Sequence, residues 1–232
     1  SDVCSSDLSG TGNTAWCAER FLQSCAPEGA AVAMEDPAAV ELLRLHDEVL
    51  LAYPVYYSNL PKIVRDFIQG SAPLWEGKSV FVIATMGLFS GDGAGLAARL
   101  LRRHGAQVAG GLHVKMPDCI CDVRALKRSP EKNREIVAAA GEKLDRAARR
   151  LRDGRPPREG LGPLYHAAGL FGQRLWFYGK TRSYTDKLAI DRAACVGCGR
   201  CAALCPMGNI SIEGGKARAR GRCTMCYRCV SR

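Results

Sequence analysis

No run of about 18 uninterrupted apolar residues, the minimum for a helix that spans a membrane, occurs in the 232-residue chain. Its richest stretch, Leu161 to Tyr178, is broken by His166, Gln173 and Arg174, so no membrane span is expected. A secretory signal pattern is also missing. The four histidines, His46, His104, His113 and His166, are scattered without metal-ligand spacing or a neighbouring nucleophile, which leaves them packing or solvent roles. From these absences neither a spanning protein nor a secreted disulfide framework is expected, and no histidine-centred site.

What stands out against them is twelve cysteines. Without a secretory signal, they are explained by metal binding in a reducing compartment, and the cytoplasm is expected. The length and the 47% hydrophobic content suit one ordinary α/β domain plus a small domain stapled by its cysteines.

Charge is unevenly placed. Residues 1–123 hold 9 Lys/Arg against 14 Asp/Glu, a net −5, whereas residues 124–232 hold 24 against 9, a net +15. The basic half also holds most of the cysteines, and anionic iron–thiolate clusters would offset part of that charge. An acidic redox partner protein is therefore expected, and no nucleic acid.

Both ends look cut. Ser1 to Leu8, SDVCSSDL, resembles a translated sequencing-adapter oligonucleotide, so residues 1–8, Cys4 included, are expected to be non-native. They stand where the strand before Ser9 would lie. At the other end Arg232 comes three residues after Cys229, one residue before a fourth cysteine would be due.

Between these ends, apolar runs alternate with helical periodicity. Strands are expected at Ala30–Met34, Glu48–Ala52, Ser79–Ala84 and Gln107–Val114, with Tyr53-Pro54 ending the second of these. Helices are expected over Thr14–Ser24, Val40–Leu45, Lys62–Gln69, Ala94–His104 and Pro130–Arg152, the last with Ile136, Ala140, Leu144, Ala147 and Leu151 on one side and a strongly basic opposite face. Such alternation implies a doubly wound parallel sheet, which binds ligands in loops at the carboxyl ends of its strands.

Three of those loops carry the candidate cofactor residues. Ser9-Gly10-Thr11-Gly12-Asn13-Thr14 lies between a strand position and a helix, where free backbone N–H groups and the helix dipole attract an anion. Gly10 and Gly12 let the backbone approach it, and the hydroxyls of Ser9, Thr11 and Thr14 can add donors. The loop has neither the Lys of a nucleoside-triphosphate loop nor the third glycine of a dinucleotide loop. It resembles the flavodoxin phosphate loop. The Pro54-Val55-Tyr56-Tyr57-Ser58-Asn59 loop and the loop from Thr85, Met86 and Gly87 through Phe89 to Gly91 fall where flavodoxins hold the isoalloxazine ring. The resemblance implies bound FMN, with Tyr56, Tyr57 and Phe89 as stacking candidates and backbone amides near Gly87 at the polar edge of the ring.

Cys195-x2-Cys198-x2-Cys201-x3-Cys205-Pro206 is the bacterial ferredoxin run, in which three thiolates hold one 4Fe-4S cluster and the fourth reaches the other. A four-coordinate zinc site has no use for that spacing. A second run, Cys223-x2-Cys226-x2-Cys229, follows a hairpin with a Gly214-Gly215 turn. Two runs around a hairpin resemble the two-cluster ferredoxin fold. Crossed ligation in that fold implies one complete site of Cys205, Cys223, Cys226 and Cys229, whereas Cys195, Cys198 and Cys201 lack a fourth ligand in this chain.

Together the two parts resemble the EFR1-type ferredoxin–flavodoxin fusion family. The fold class expected is α/β, a flavodoxin-like doubly wound parallel five-stranded sheet, plus a small α+β two-cluster ferredoxin-like domain. The boundaries expected are 9–153 for the FMN-binding domain, 154–187 for a linker or docking segment rich in aromatics (Tyr165, Phe171, Trp176, Phe177, Tyr178), and 188–232 for the cluster domain. The function implied is electron transfer coupling FMN to 4Fe-4S clusters, two in the intact parent. Two alternatives stay open: an FMN-dependent reductase of a quinone or other small molecule, and a non-redox binding module without FMN. Cys119 and Cys121 are expected to be incidental, and Cys17 and Cys25 to be buried thiols on helix faces.

Overall fold

The structure, a computed structural model, describes residues 3–56, 59–89, 91–118, 127–175 and 188–231, with the backbone alone for Gln173. Strands β1 (Val3–Asp7), β2 (Ala30–Ala33), β3 (Glu48–Pro54), β4 (Ser79–Met86) and β5 (Gln107–Lys115) form one parallel sheet in the order β2-β1-β3-β4-β5. This is the flavodoxin-like doubly wound order, and it reverses between β1 and β3, where the crevice at the carboxyl ends opens.

Helices α1 (Asn13–Cys25) and α5 (Pro130–Arg152) cover one face, and α2 (Ala38–Leu45), α3 (Lys62–Gly70) and α4 (Gly93–Arg103) cover the other. The near-continuous apolar runs of β3 and β4 arise because both faces are covered. Leu50, Ala52, Phe81 and Ile83 enter the α1–α5 core, where Phe21 stacks on Phe81 with ring centroids 4.8 Å apart. Val49, Leu51, Tyr53, Val80, Val82 and Ala84 enter the other core with Trp75, whose Nε1 donates to the Ile68 carbonyl at 3.0 Å.

Tyr53-Pro54 does not end β3 at Ala52, as the sequence led us to expect; the strand runs two residues further, to Pro54. Pro54 pairs with Thr85 as the last strand residue, and the ladder continues one step further through Val55, whose N–H donates to the Thr85 carbonyl at 2.8 Å. A proline at a strand end removes one donor without breaking the bonds on either side.

Beyond α5 the chain returns along β5. The Gly111 N–H donates to the Pro157 carbonyl and the Glu159 N–H to the Gly111 carbonyl, both at 2.9 Å, which adds a parallel bridge at the sheet edge. Gly111 is needed there, because a Cβ would lie 2.6 Å from the Glu159 carbonyl oxygen. Helix α6 (Pro163–Gly169) then runs into a π-helical turn, Leu170–Arg174. Trp176, Phe177 and Tyr178 of the expected docking segment lie outside the described residues, as do Cys119 and Cys121.

The cysteine-rich part contains a short helix, Arg200–Ala203, and the hairpin β6 (Ile210–Glu213) and β7 (Lys216–Ala219). Its turn is Gly214-Gly215, with φ of 58° and 71°, the left-handed pair that a two-residue turn requires. Among the described residues no helix is long and apolar enough to cross a membrane.

One local conflict marks β1. The Ser5 and Ser6 hydroxyls are buried, one toward each face of the sheet, and neither has a hydrogen-bond partner. A hydroxyl buried unpaired costs about 1–3 kcal/mol, which a central parallel strand normally avoids by being apolar. Ser5→Ala is therefore expected to raise the urea midpoint, with a gain of roughly 1 kcal/mol; a lower midpoint would show that the hydroxyl is satisfied.

Candidate functional site

The three expected loops meet at the carboxyl ends of β1, β3 and β4. Gly12 starts α1 with φ 108° and gives it no side-chain cap, so the first N–H groups of the helix face the loop without intrahelical acceptors. Within the loop the Gly12 N–H donates to Ser9 Oγ at 3.1 Å. Thr14 Oγ1 lies 2.9 Å from Thr85 Oγ1, a buried hydroxyl pair that ties the first loop to the third. Asn13 Nδ2 donates to the Pro117 carbonyl at 2.9 Å, which holds the same loop to the segment after β5.

In the second loop Tyr56 and Asn59 close a tight backbone ring, exchanging N–H donors at 3.2 and 2.8 Å, while Tyr57 and Ser58 lie outside the described residues. In the third, Leu88 and Phe89 are exposed, the latter at 45%. This donor-rich loop, carrying no charge of its own, and an exposed aromatic beside it fit a phosphate tail and an apolar ring.

A feature missed in the sequence fixes the third loop. Asp92, with a fully buried side chain, takes Arg99 at 2.5 Å, His166 Nδ1 at 2.9 Å and Arg174. Arg99 comes from α4, and the other two from the segment after β5, so one carboxylate clamps α6 and the π-helical turn onto the loop. Their approach needs glycine on both sides, because a Cβ on Gly91 would overlap Gly169. Nearby, His113 is half-buried, and its Nε2 accepts the Ala94 N–H at 3.2 Å near the start of α4. Burial pushes its pKa down to about 4, which keeps it the neutral acceptor.

The cysteines form two groups with different surroundings. Burial raises the pKa values of Cys223, Cys226 and Cys229, and the nearby Cys205 raises each further. Their loop is wound tightly, with Met225 and Tyr227 at φ of 56° and 60°. Backbone N–H groups already donate to sulfur, from Asn209 to Cys205 at 3.2 Å and from Met225 to Cys223 at 3.3 Å. Cys195 takes N–H donors from Gly197 at 3.4 Å and Ala217 at 3.3 Å, which with Lys216 and Arg192 lower its pKa. N–H donors aimed at sulfur stabilise thiolates and tune iron–sulfur clusters. Among the described residues no three His, Cys, Asp or Glu side chains are grouped for a single metal ion. Thiols that surround a cluster, one on each iron, need not meet at one point.

The flavodoxin domain model matches residues 8–145, more than half of the chain. The chain belongs to the flavodoxin domain family. A 4Fe-4S dicluster domain model matches residues 187–232, so a flavodoxin domain and a dicluster domain stand in one polypeptide. The first implies FMN and the second 4Fe-4S clusters. Among solved structures the chain is similar to the Megasphaera elsdenii flavodoxin in its two-electron reduced form, at 27% identity and a TM-score of 0.46, over 60% of this chain and 98% of that one. Flavodoxin 2 of Bacillus cereus matches at 19% identity and a TM-score of 0.49, over 66% and 99%. The flavodoxin of Streptococcus pneumonia TIGR4 matches at 17% and 0.48, over 66% and 99%. No curated protein matches.

Two further contacts join the parts. Arg228, from the second cysteine run, pairs with Glu35 and donates from Nη2 to the Ser9 carbonyl at 2.7 Å. A Cβ on Gly10 would overlap the Cys226 carbonyl oxygen, so the cysteine loop rests directly on the phosphate loop.

Two measurements follow from these charges. Replacing Asp92→Asn leaves the largely buried Arg174 without its counter-charge, so a loss of about 3 kcal/mol is expected, with faster tryptic cleavage at Arg174; unchanged cleavage would mean that the clamp is idle. Asp7, at the end of β1, has its pKa pushed up to about 7 by burial, helped by Glu35 and Glu19 and opposed by Arg228. Its folded pKa thus exceeds its unfolded one of about 3.9, so Asp7 lowers stability as pH rises from about 4 to 7, by at most about 1.4 kcal/mol per pH unit. Asp7→Asn should flatten that decline in urea titrations at a series of pH values.

Proposed function

We propose that this chain couples FMN to its clusters as an electron-transfer protein of the EFR1-type ferredoxin–flavodoxin fusion family, a reading supported by its flavodoxin and 4Fe-4S domains, which themselves support a redox electron-transfer role. Its working parts are an FMN-binding domain over 9–153, a docking segment over 154–187 and a cluster domain over 188–232. The observation that carries the coupling is the seat of the second cysteine loop on the phosphate loop, through Gly10, Ser9, Glu35 and Arg228.

Ser9–Thr14 would hold the FMN phosphate by backbone N–H groups and the hydroxyls of Ser9, Thr11 and Thr14. Pro54–Asn59 and the loop with Thr85, Met86, Gly87 and Phe89 would flank the ring, and Asp92 keeps the third loop in place. Cys205, Cys223, Cys226 and Cys229 would hold one cluster, and Cys195, Cys198 and Cys201 would contribute to the other. When bound, FMN trades one or two electrons and each cluster one. The role needs no acid, base or nucleophile, and the exchange partner would be an acidic protein of the cytoplasm.

The test is iron and FMN content per chain after anaerobic reconstitution. About one FMN and at least about four iron are expected. Iron without flavin would sink the coupling and favour the non-redox module, and turnover with a quinone but with no protein acceptor would favour the small-molecule reductase.

A further inference from the structure

The two cysteine runs differ in how they face the rest of the chain. From Cys223 to Cys229 no residue is exposed, and Thr224 is buried at 3%. Thr224 Oγ1 accepts the Ile63 N–H at 3.3 Å, at the start of α3, a helix that has no side-chain cap of its own. The cysteine loop thus supplies the cap in place of a local residue. With the Arg228 contacts and the Cys226 carbonyl on Gly10, it is held at the phosphate loop, at Glu35 after β2 and at the N-terminus of α3.

The first run is open. Cys198 is exposed, and beside it Val196 is 86% exposed. Arg192 and Arg200 flank the run, both exposed and with no ion pair among the described residues. The nearest acid in sequence, Asp191, is occupied in accepting the N–H groups of Ala193 at 2.9 Å and Ala194 at 3.2 Å. Lys216 donates to the Cys195 carbonyl and adds positive charge at the same edge. Across residues 188–231 seven Lys/Arg stand against two acids. An apolar centre with a basic rim is the anatomy of a docking patch for an acidic protein.

We propose that the second cysteine loop is the inner face, docked within the chain, and that the first loop, with Val196, Arg192 and Arg200, is the outer face that receives an acidic one-electron carrier protein. This rests on the electron-transfer reading and adds which face does what.

The experiment uses the full reconstituted chain, first passed by the iron and FMN assay, so that a failure of the electron-transfer reading is recognised there. The probe is an acidic plant-type 2Fe-2S ferredoxin, with association followed by calorimetry against ionic strength. The double variant Arg192→Glu, Arg200→Glu should weaken association at least tenfold and flatten its salt dependence, with FMN content unchanged. Amide hydrogen exchange at Ile63 and Ser9–Thr14 reads the inner face. Arg228→Glu should speed it, Glu35→Arg together with Arg228→Glu should restore it, and Thr224→Val should speed Ile63 alone if the charge variants fail to fold. Probe association unchanged by the rim variant, or abolished by Arg228→Glu instead, would overturn the assignment. So would unchanged exchange at Ile63 in both inner-face variants, or binding of a DNA duplex by the rim in preference to the acidic protein.

Discussion

The contact on which the arrangement turns is between two pieces of backbone. Gly10 carries no side chain, and the Cys226 carbonyl takes the space a Cβ would need. The backbone of Gly10 is not in the left-handed region, so the turn itself does not demand glycine there, whereas Gly12, at φ 108°, meets nothing and is required by conformation. The two glycines of the phosphate loop therefore have different causes. One sets the turn of the Ser9–Thr14 loop, and the other admits the Cys226 carbonyl.

The segment after α5 is held by a second constraint of the same kind. Asp92 is buried with Arg99, Arg174 and His166 as partners, and the Gly91–Gly169 approach lets α6 come near enough for them to reach it. A buried carboxylate without those partners would be strongly disfavoured, so the loop after β4 and the segment after α5 are ordered together. Phe89 stays exposed on the loop that this clamp fixes, and a Cβ on Gly172 would lie 3.7 Å from its ring.

What the sequence made legible was local. The phosphate loop, the cysteine runs, the glycine turn of the hairpin and the apolar runs of β3 and β4 each lie within a few consecutive residues, and their chemistry depends on spacing alone. The missed features are long-range: Arg228 lies 193 residues from Glu35, Arg174 lies 82 from Asp92, and Thr224 lies 161 from Ile63. No spacing encodes such pairs, and only a fold that brings strand ends together creates them. Pro54 was misjudged for a related reason, since its effect on β3 depends on what Val55 does next. At β1 the conflict runs the other way. Ser5 and Ser6 contradict the apolar pattern of a central strand, yet β2 and β3 supply the ladder that holds them there.

The charge asymmetry takes a different meaning once these pairs are known. A net −5 followed by +15 pointed to an acidic partner outside the chain, yet two arginines of the basic half are engaged within it: Arg228 on Glu35 and Arg174 on Asp92. Much of the basic face of α5 is also balanced locally, by Lys132 with Glu135, Arg134 with Glu131 and Arg146 with Glu142, and such exposed pairs leave little net field. The same asymmetry therefore holds the two domains together first. What remains for a partner is narrower than the whole basic half, and under the proposed assignment it includes Arg192 and Arg200 beside the first cysteine run, both exposed and in no ion pair among the described residues.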